Sequence, residues 1–171
     1  MIVLGVTNSL NSSACLFKNG KLLMACSEEH FTRKKNDDAF PEKSINYILK
    51  KNNIKNFKQI DQIAYSWSKG CDDLASKNLL KRYKQELIYN KKNIDIFLNR
   101  IRIEKERDNI KKQEFLNWTY NKKVFDKVKL YYHHEGHALS SILMSNFTSG
   151  YCVTADARGD YESLVIWYFN L

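Results

Sequence analysis

Ile2 to Thr7 is an apolar, β-branched run broken by one glycine, and it gives way to the polar cluster Asn8 to Ser13. A short apolar run closed by turn-forming residues predicts a strand. Ala14 to Lys18 predicts a second strand. Asn19-Gly20 follows, two residues that tolerate positive φ and so favour the two-residue turn of a hairpin. Lys21 to Ser27 then returns as a third strand, which predicts an antiparallel meander. Glu28 to Phe40 is polar and charge-dense and reads as a loop. Pro41, the only proline, suits the first turn of a helix, and Ile45, Ile48 and Leu49 supply its apolar stripe. Ile60 to Trp67 predicts a strand. From about Leu74 to Tyr120 the chain has neither Gly nor Pro. Leu80, Tyr83, Leu87, Ile94, Phe97, Leu98 and Ile101 recur there at helical spacing, which predicts one long helix or a helical hairpin. Val128 to Tyr132 reads as a strand, Glu135 to Met144 as a helix, and Gly150 to Leu171 as two strands around an Asp-rich turn. The order predicts a mixed α/β domain with an antiparallel opening and crossover helices. The last strand reaches Leu171 with no closing helix, so the expectation is a piece of something longer.

Composition narrows this picture. A chain of 171 residues is long enough for one good-sized domain or two very small ones, and a compact unit of this length needs no disulfide staple. Its 43% hydrophobic and 27% charged residues exclude a disordered or fibrous chain. The net charge of +9 is local: Leu74 to Lys129 holds 16 basic and 7 acidic residues, and the remainder holds 12 of each. Cys15, Cys26, Cys71 and Cys152 form no CxxC pair and match neither a zinc ribbon nor a disulfide framework. With no signal peptide and no apolar run of membrane-spanning length, the expected location is the cytoplasm.

Three of the four histidines fall in His133-His134-Glu135-Gly136-His137. His133 and His137 are four apart, so a helix that starts at or before His133 would project both imidazoles from one face, where they could share a metal. Two histidines do not complete a site, and a further ligand must come from elsewhere. Asp156-Ala157-Arg158-Gly159-Asp160 follows an apolar strand. A small-residue turn with a carboxylate at each end, Asp156 and Asp160, around Gly159 can admit phosphate or a hydrated Mg²⁺. Alone it is more commonly an exposed hairpin turn. The turn containing Asn11, Ser12 and Ser13 could present amides, hydroxyls and backbone N–H groups to phosphates, although plain turns of this composition are also common.

These pieces also occur in a particular order. The polar turn ending Ser12-Ser13-Ala14, the Asn19-Gly20 hairpin, Glu28 to Lys35 (EEHFTRKK), Phe40-Pro41, His133 to Ala138 (HHEGHA) and Asp156 to Asp160 (DARGD) resemble the carbamoyltransferase family of nodulation and antibiotic-tailoring enzymes. The resemblance implies an RNase H-like lobe of the actin/hexokinase/Hsp70 type, with a mixed sheet and a basic helical insertion at about 74–121. It implies an ATP-dependent enzyme that makes O-carbamoyl esters of small-molecule hydroxyls from carbamoyl phosphate, through a carbamoyl-adenylate. His133 and His137 would bind Fe(II) or a similar divalent metal, completed by an Asp from a second lobe. His134, Arg33 and Lys35 would serve catalysis, and Asn11, Ser12, Ser13, Asp156, Gly159 and Asp160 would bind ATP with Mg²⁺. A C-terminal lobe and an adenylate-forming domain, in the same chain or in a partner, would complete the enzyme. A homo-oligomer is compatible with this, and the isolated chain is expected to be inactive. Where the family usually reads His-Asp in the first turn, this chain has Leu10-Asn11, which removes a carboxylate that would organise a cation near the phosphates. Two other functions fit parts of the pattern: a tRNA threonylcarbamoyl-transfer-related protein whose basic segment meets RNA phosphates, and a non-catalytic metal- or nucleotide-binding module. EEHFTRKK with Phe40-Pro41 favours the small-molecule enzymes and makes nucleic acid the less expected partner.

Overall fold

Alternating apolar positions in the opening strands build one buried sheet face, and the turns between them follow from residues that accept positive φ. The computed structural model describes residues 1–66, 91–156 and 163–171, with the backbone alone over part of 91–110. Cys71, the beginning of the helix expected from Leu74, and Gly159 and Asp160 lie outside the described residues. Among the described residues the chain forms two compact units.

The first unit comprises Met1–Ser66 and Lys111–Tyr131. Its strands are β1 (Ile2–Thr7), β2 (Ser13–Lys18), β3 (Lys21–Ser27), β4 (Gln62–Tyr65) and β5 (Val128–Leu130), in the spatial order β3-β2-β1-β4-β5. The first three strands pair antiparallel as expected, while β1–β4 and β4–β5 are parallel. This is a mixed α/β arrangement, because parallel neighbours need long crossovers. Asn19 and Gly20 have φ of 52° and 78°, the two positive values that a type I′ hairpin turn requires. Gly5 faces Cys15 across the β1–β2 ladder, and a Cβ there would lie 2.6 Å from the Cys15 sulfur, so a side chain at this position would displace the thiol.

Leu4, Val6, Ala14, Leu16, Ile63 and Tyr65 share one face and are buried. Helix α2 (Glu42–Lys51) packs on β2 and β3 and buries Ile45, Ile48 and Leu49, the stripe read from the sequence. Helix α3 (Lys91–Asn121) contributes its C-terminal part to this unit. There Phe115 stacks on Tyr65 with centroids 4.0 Å apart, and Trp118 meets Phe40 and Phe57. The segment expected to be a plain loop from Glu28 to Phe40 instead contains a short helix, α1 (Glu29–Thr32). Glu28, which precedes α1, is buried against the start of α2 sixteen residues on, a non-local contact that fixes the chain where α1 begins.

The second unit comprises residues 67–110, only partly described, and Tyr132–Leu171. Helix α4 (His133–Met144) packs on the hairpin of β6 (Ser149–Ala155) and β7 (Leu164–Asn170), which pair antiparallel from Ser149↔Asn170 to Ala155↔Leu164. The buried stripe of α4 is His134, Ala138 and Ile142, spaced at i, i+4 and i+8. The outward face of the hairpin carries exposed Tyr151, Val153, Leu164, Ile166 and Tyr168. Among the described residues, no helix is long and apolar enough to cross a membrane.

Candidate metal centre

Helix α4 begins two residues earlier than the apolar pattern suggested. Tyr132 is extended (φ −64°, ψ 142°), and its carbonyl accepts from the Gly136 N–H at 3.0 Å, so His133 already lies in the first turn. That start satisfies the condition for His133 and His137 to project from one face. Their Nε2 atoms are 3.0 Å apart.

A helix and a strand joined by a short connection run antiparallel, which decides what else arrives here. The twelve residues of α4 climb about 18 Å at about 1.5 Å per residue, and the chain returns along β6 at about 3.3 Å per residue. The end of β6 therefore comes back level with the start of α4. Asp156 stands there, its N–H donating to the Ser163 carbonyl at 2.8 Å to close the hairpin ladder. Its Oδ2 lies 2.8 Å from His133 Nε2 and 3.4 Å from His137 Nε2. The three ligand atoms all fall within 4.8 Å of one another.

These separations suit a shared cation. Two atoms each about 2.1 Å from one ion, subtending 90–109°, stand about 3.0–3.4 Å apart. Two imidazoles and one carboxylate on one side of an ion leave its other positions open, the arrangement seen in non-haem Fe(II) sites. His133 is largely covered, whereas His137 and Asp156 are partly exposed. A ligand could therefore approach from solvent. The sequence identified His133 and His137, but it grouped Asp156 with the phosphate turn. The missed signal was the short α4–β6 connection, which returns Asp156 to the helix start.

His134, between the two ligands, is 3% exposed. Its Nδ1 lies 3.0 Å from Thr154 Oγ1.

The other expected site residues lie in the first unit. The Glu28 carboxylate accepts from Ser44 N (2.8 Å), Ser44 Oγ (2.7 Å) and Lys43 N (3.2 Å), which satisfies two N–H groups at the start of α2. Glu29 Oε2 accepts from Asn36 N at 2.9 Å. Arg33 caps α1 in the left-handed region at φ 59°, with its N–H on the Glu29 carbonyl. Arg33 and Lys35 are both exposed. Asp37 is buried, and its carboxyl is held below the usual range by the Thr32 hydroxyl, the Ala39 N–H and the Lys34 ammonium.

The first turn meets this segment directly. Ser12 N donates to the Asp37 carbonyl (2.9 Å), and Glu28 N donates to the Ser12 carbonyl (2.8 Å). Ser12 is fully buried, with its hydroxyl donating to Ser9 O at 3.1 Å. Asn11, at φ 62°, is exposed, and Ser13 is half-buried in β2. The structure thus brings the Asn11–Ser13 turn against the Glu28–Asp37 segment, and in the second unit it gathers His133, His137 and Asp156. Asn8, which opens the polar turn but was not among the expected site residues, is buried and accepts from Tyr65 Oη at 2.6 Å while donating to the Lys111 carbonyl at 2.8 Å. Its signal was its place at the polar end of an otherwise apolar strand.

Comparison with known proteins adds a family. The profile described as carbamoyltransferase N-terminus matches residues 2–170. An uncharacterized protein of Methanocaldococcus jannaschii is 52% identical over 50 residues, covering 29% of this chain and 10% of that protein. An uncharacterized protein of Synechocystis sp. is 28% identical over 167 residues, covering 92% of this chain and 25% of that protein. The chain spans a quarter or less of the length of these relatives.

Proposed function

Because the chain belongs to the carbamoyltransferase N-terminal family, we propose that it is the N-terminal lobe of an ATP-dependent O-carbamoyltransferase that carries a carbamoyl group from carbamoyl phosphate, through carbamoyl-adenylate, to a small-molecule hydroxyl. The observation that carries this reading is the convergence of His133, His137 and Asp156. The strand order β3-β2-β1-β4-β5, with an antiparallel opening and parallel β4 and β5, supports an RNase H-like lobe. A cytoplasmic location fits the free thiols of Cys15, Cys26 and Cys152.

The three residues would hold Fe(II) or a similar divalent ion, which supplies Lewis acidity toward a carbonyl or phosphoryl oxygen. Arg33, the C-cap of α1, and Lys35 just after it are both exposed and would offer cations to phosphate groups. Glu28 and Asp37 hold the backbone on either side of those two residues, so their charges are presented from a braced loop. Asn11 and Ser13 would complete a phosphate-facing turn. In the transfer step the acceptor oxygen would bond to the carbamoyl carbon as the bond from that carbon to the AMP oxygen breaks; the electron pair would leave on AMP and the hydroxyl proton would pass to solvent.

The test is carbamoyl transfer by a protein in which this lobe is joined to its complement, supplied with carbamoyl phosphate, ATP and Fe²⁺. Formation of carbamoylated product that falls at least 100-fold in His133→Ala, His137→Ala and Asp156→Asn is the expected result. Undiminished transfer in those variants would remove the reading. The 171-residue chain alone is expected to be inactive, since catalysis needs both walls of a site to align the reacting groups.

A further inference from the structure

We propose that His134 is a positioning residue, and that the chain His134–Thr154–Trp167 sets the distance between the two halves of the metal centre. The inference rests on the metal-centre reading and gives a role to the residue between its two histidines.

The three ligands come from two elements, His133 and His137 from α4 and Asp156 from the end of β6. Their mutual spacing depends on how α4 sits on the hairpin. Ala138 and Ile142 bury apolar surface there, but apolar contact is non-directional and lets a helix slide by a fraction of a turn. His134 is the polar member of the same stripe. Its Nδ1 lies 3.0 Å from Thr154 Oγ1, and a hydrogen bond at that distance fixes both separation and direction.

Thr154 is placed to make that bond count. It is 5% exposed, and it lies two positions before Asp156, so the two side chains leave the strand on the same side. Holding Thr154 against α4 therefore holds Asp156 toward His133. Trp167 Nε1, on the neighbouring strand, donates to Thr154 Oγ1 at 3.0 Å, and the Val165 carbonyl lies 3.4 Å from the same oxygen. A hydroxyl has one proton and two lone pairs. With Trp167 on one lone pair, the proton and the remaining lone pair serve Val165 O and His134 Nδ1. All three positions are occupied, which pins the hydroxyl and with it the ring of His134. Groups hydrogen-bonded to a metal ligand itself typically change metal affinity 10–100-fold when removed, and a bond that seats the whole ligand-bearing helix is expected to act in the same range.

The experiment titrates the 171-residue chain with Co²⁺, following its visible absorption band together with the melting temperature. His134→Ala and Thr154→Val should weaken Co²⁺ binding by about 10–100-fold and change the band. His134→Asn, whose amide can take the place of Nδ1, and Thr154→Ser, which keeps the hydroxyl, should stay within about threefold of wild type. Ile142→Ala should lower the melting temperature while leaving the Co²⁺ affinity in place, which separates positioning from general stability. Should His134→Ala or Thr154→Val fail to fold, Trp167→Phe removes one partner of the hydroxyl with most of the packing kept, and it should weaken binding. Wild-type affinity in the folded variants that lack the bond, Trp167→Phe included, would overturn the proposal. Equal loss in His134→Asn and Thr154→Ser would overturn it too. If the wild-type chain itself binds no Co²⁺, or binding survives His133→Ala with His137→Ala, the metal-centre reading fails and the proposal goes with it.

Discussion

Glu28 shows how a motif residue can serve structure while its neighbours remain available for chemistry. Its carboxylate meets two backbone N–H groups and the Ser44 hydroxyl in a buried setting. Glu28→Ala leaves those donors without an acceptor and should cost about 1–3 kcal/mol, read from chemical denaturation. Glu28→Gln, which keeps an acceptor oxygen, should lose less. Asp37 makes a pH-dependent contribution. Its folded-state value lies below the ordinary carboxylate value of about 4, chiefly through the Thr32 hydroxyl and then through Ala39 N–H and Lys34. A depressed carboxyl stabilises the fold fully above its unfolded value, and that stability disappears as pH falls through the lower folded value. The urea midpoint of Asp37→Asn should therefore lie below wild type at pH 7 and converge with it in acid. A gap that widens on acidification would contradict this. The sequence placed Glu28 in the EEHFTRKK motif and Asp37 only in a polar, charge-dense stretch, and it indicated burial for neither. Their burial depends on the first turn and α2 folding over them, which no local pattern encodes.

At the scale of elements, the strands were legible because alternation and the Asn19-Gly20 turn are local properties, and β1 and β3 match the expected ranges. The start of α4 was less legible, since His133-His134 has no capping side chain and the apolar stripe begins with a buried histidine. The third partner of the histidine pair was hidden for a different reason. Asp156 is distant in sequence, and only the antiparallel return of β6 brings it back. Gly136 lies inside this helix, where glycine costs about 1 kcal/mol relative to alanine, and a Cβ there would meet no atom within 4 Å. Gly136→Ala should thus stabilise the isolated chain by up to about 1 kcal/mol. A fall in melting temperature would show that the space beside the two histidines is occupied in the folded chain. A gain in stability with a loss of transfer in the complemented protein would mean that a ligand needs the bare backbone.

For the whole molecule, the family assignment covers nearly the full sequence, whereas the candidate metal site involves three residues at the start of α4 and the end of β6. His133, His137 and Asp156 are proposed to form one divalent-metal site within this chain. The most direct measurement is anaerobic equilibrium titration of the 171-residue protein with Fe²⁺ or Mn²⁺ at neutral pH. One ion per chain is expected, with binding falling as pH drops because a ligating histidine must be neutral. Loss of that ion is expected in His133→Ala, His137→Ala and Asp156→Asn. Unchanged uptake in the His133→Ala/His137→Ala double variant would contradict the site.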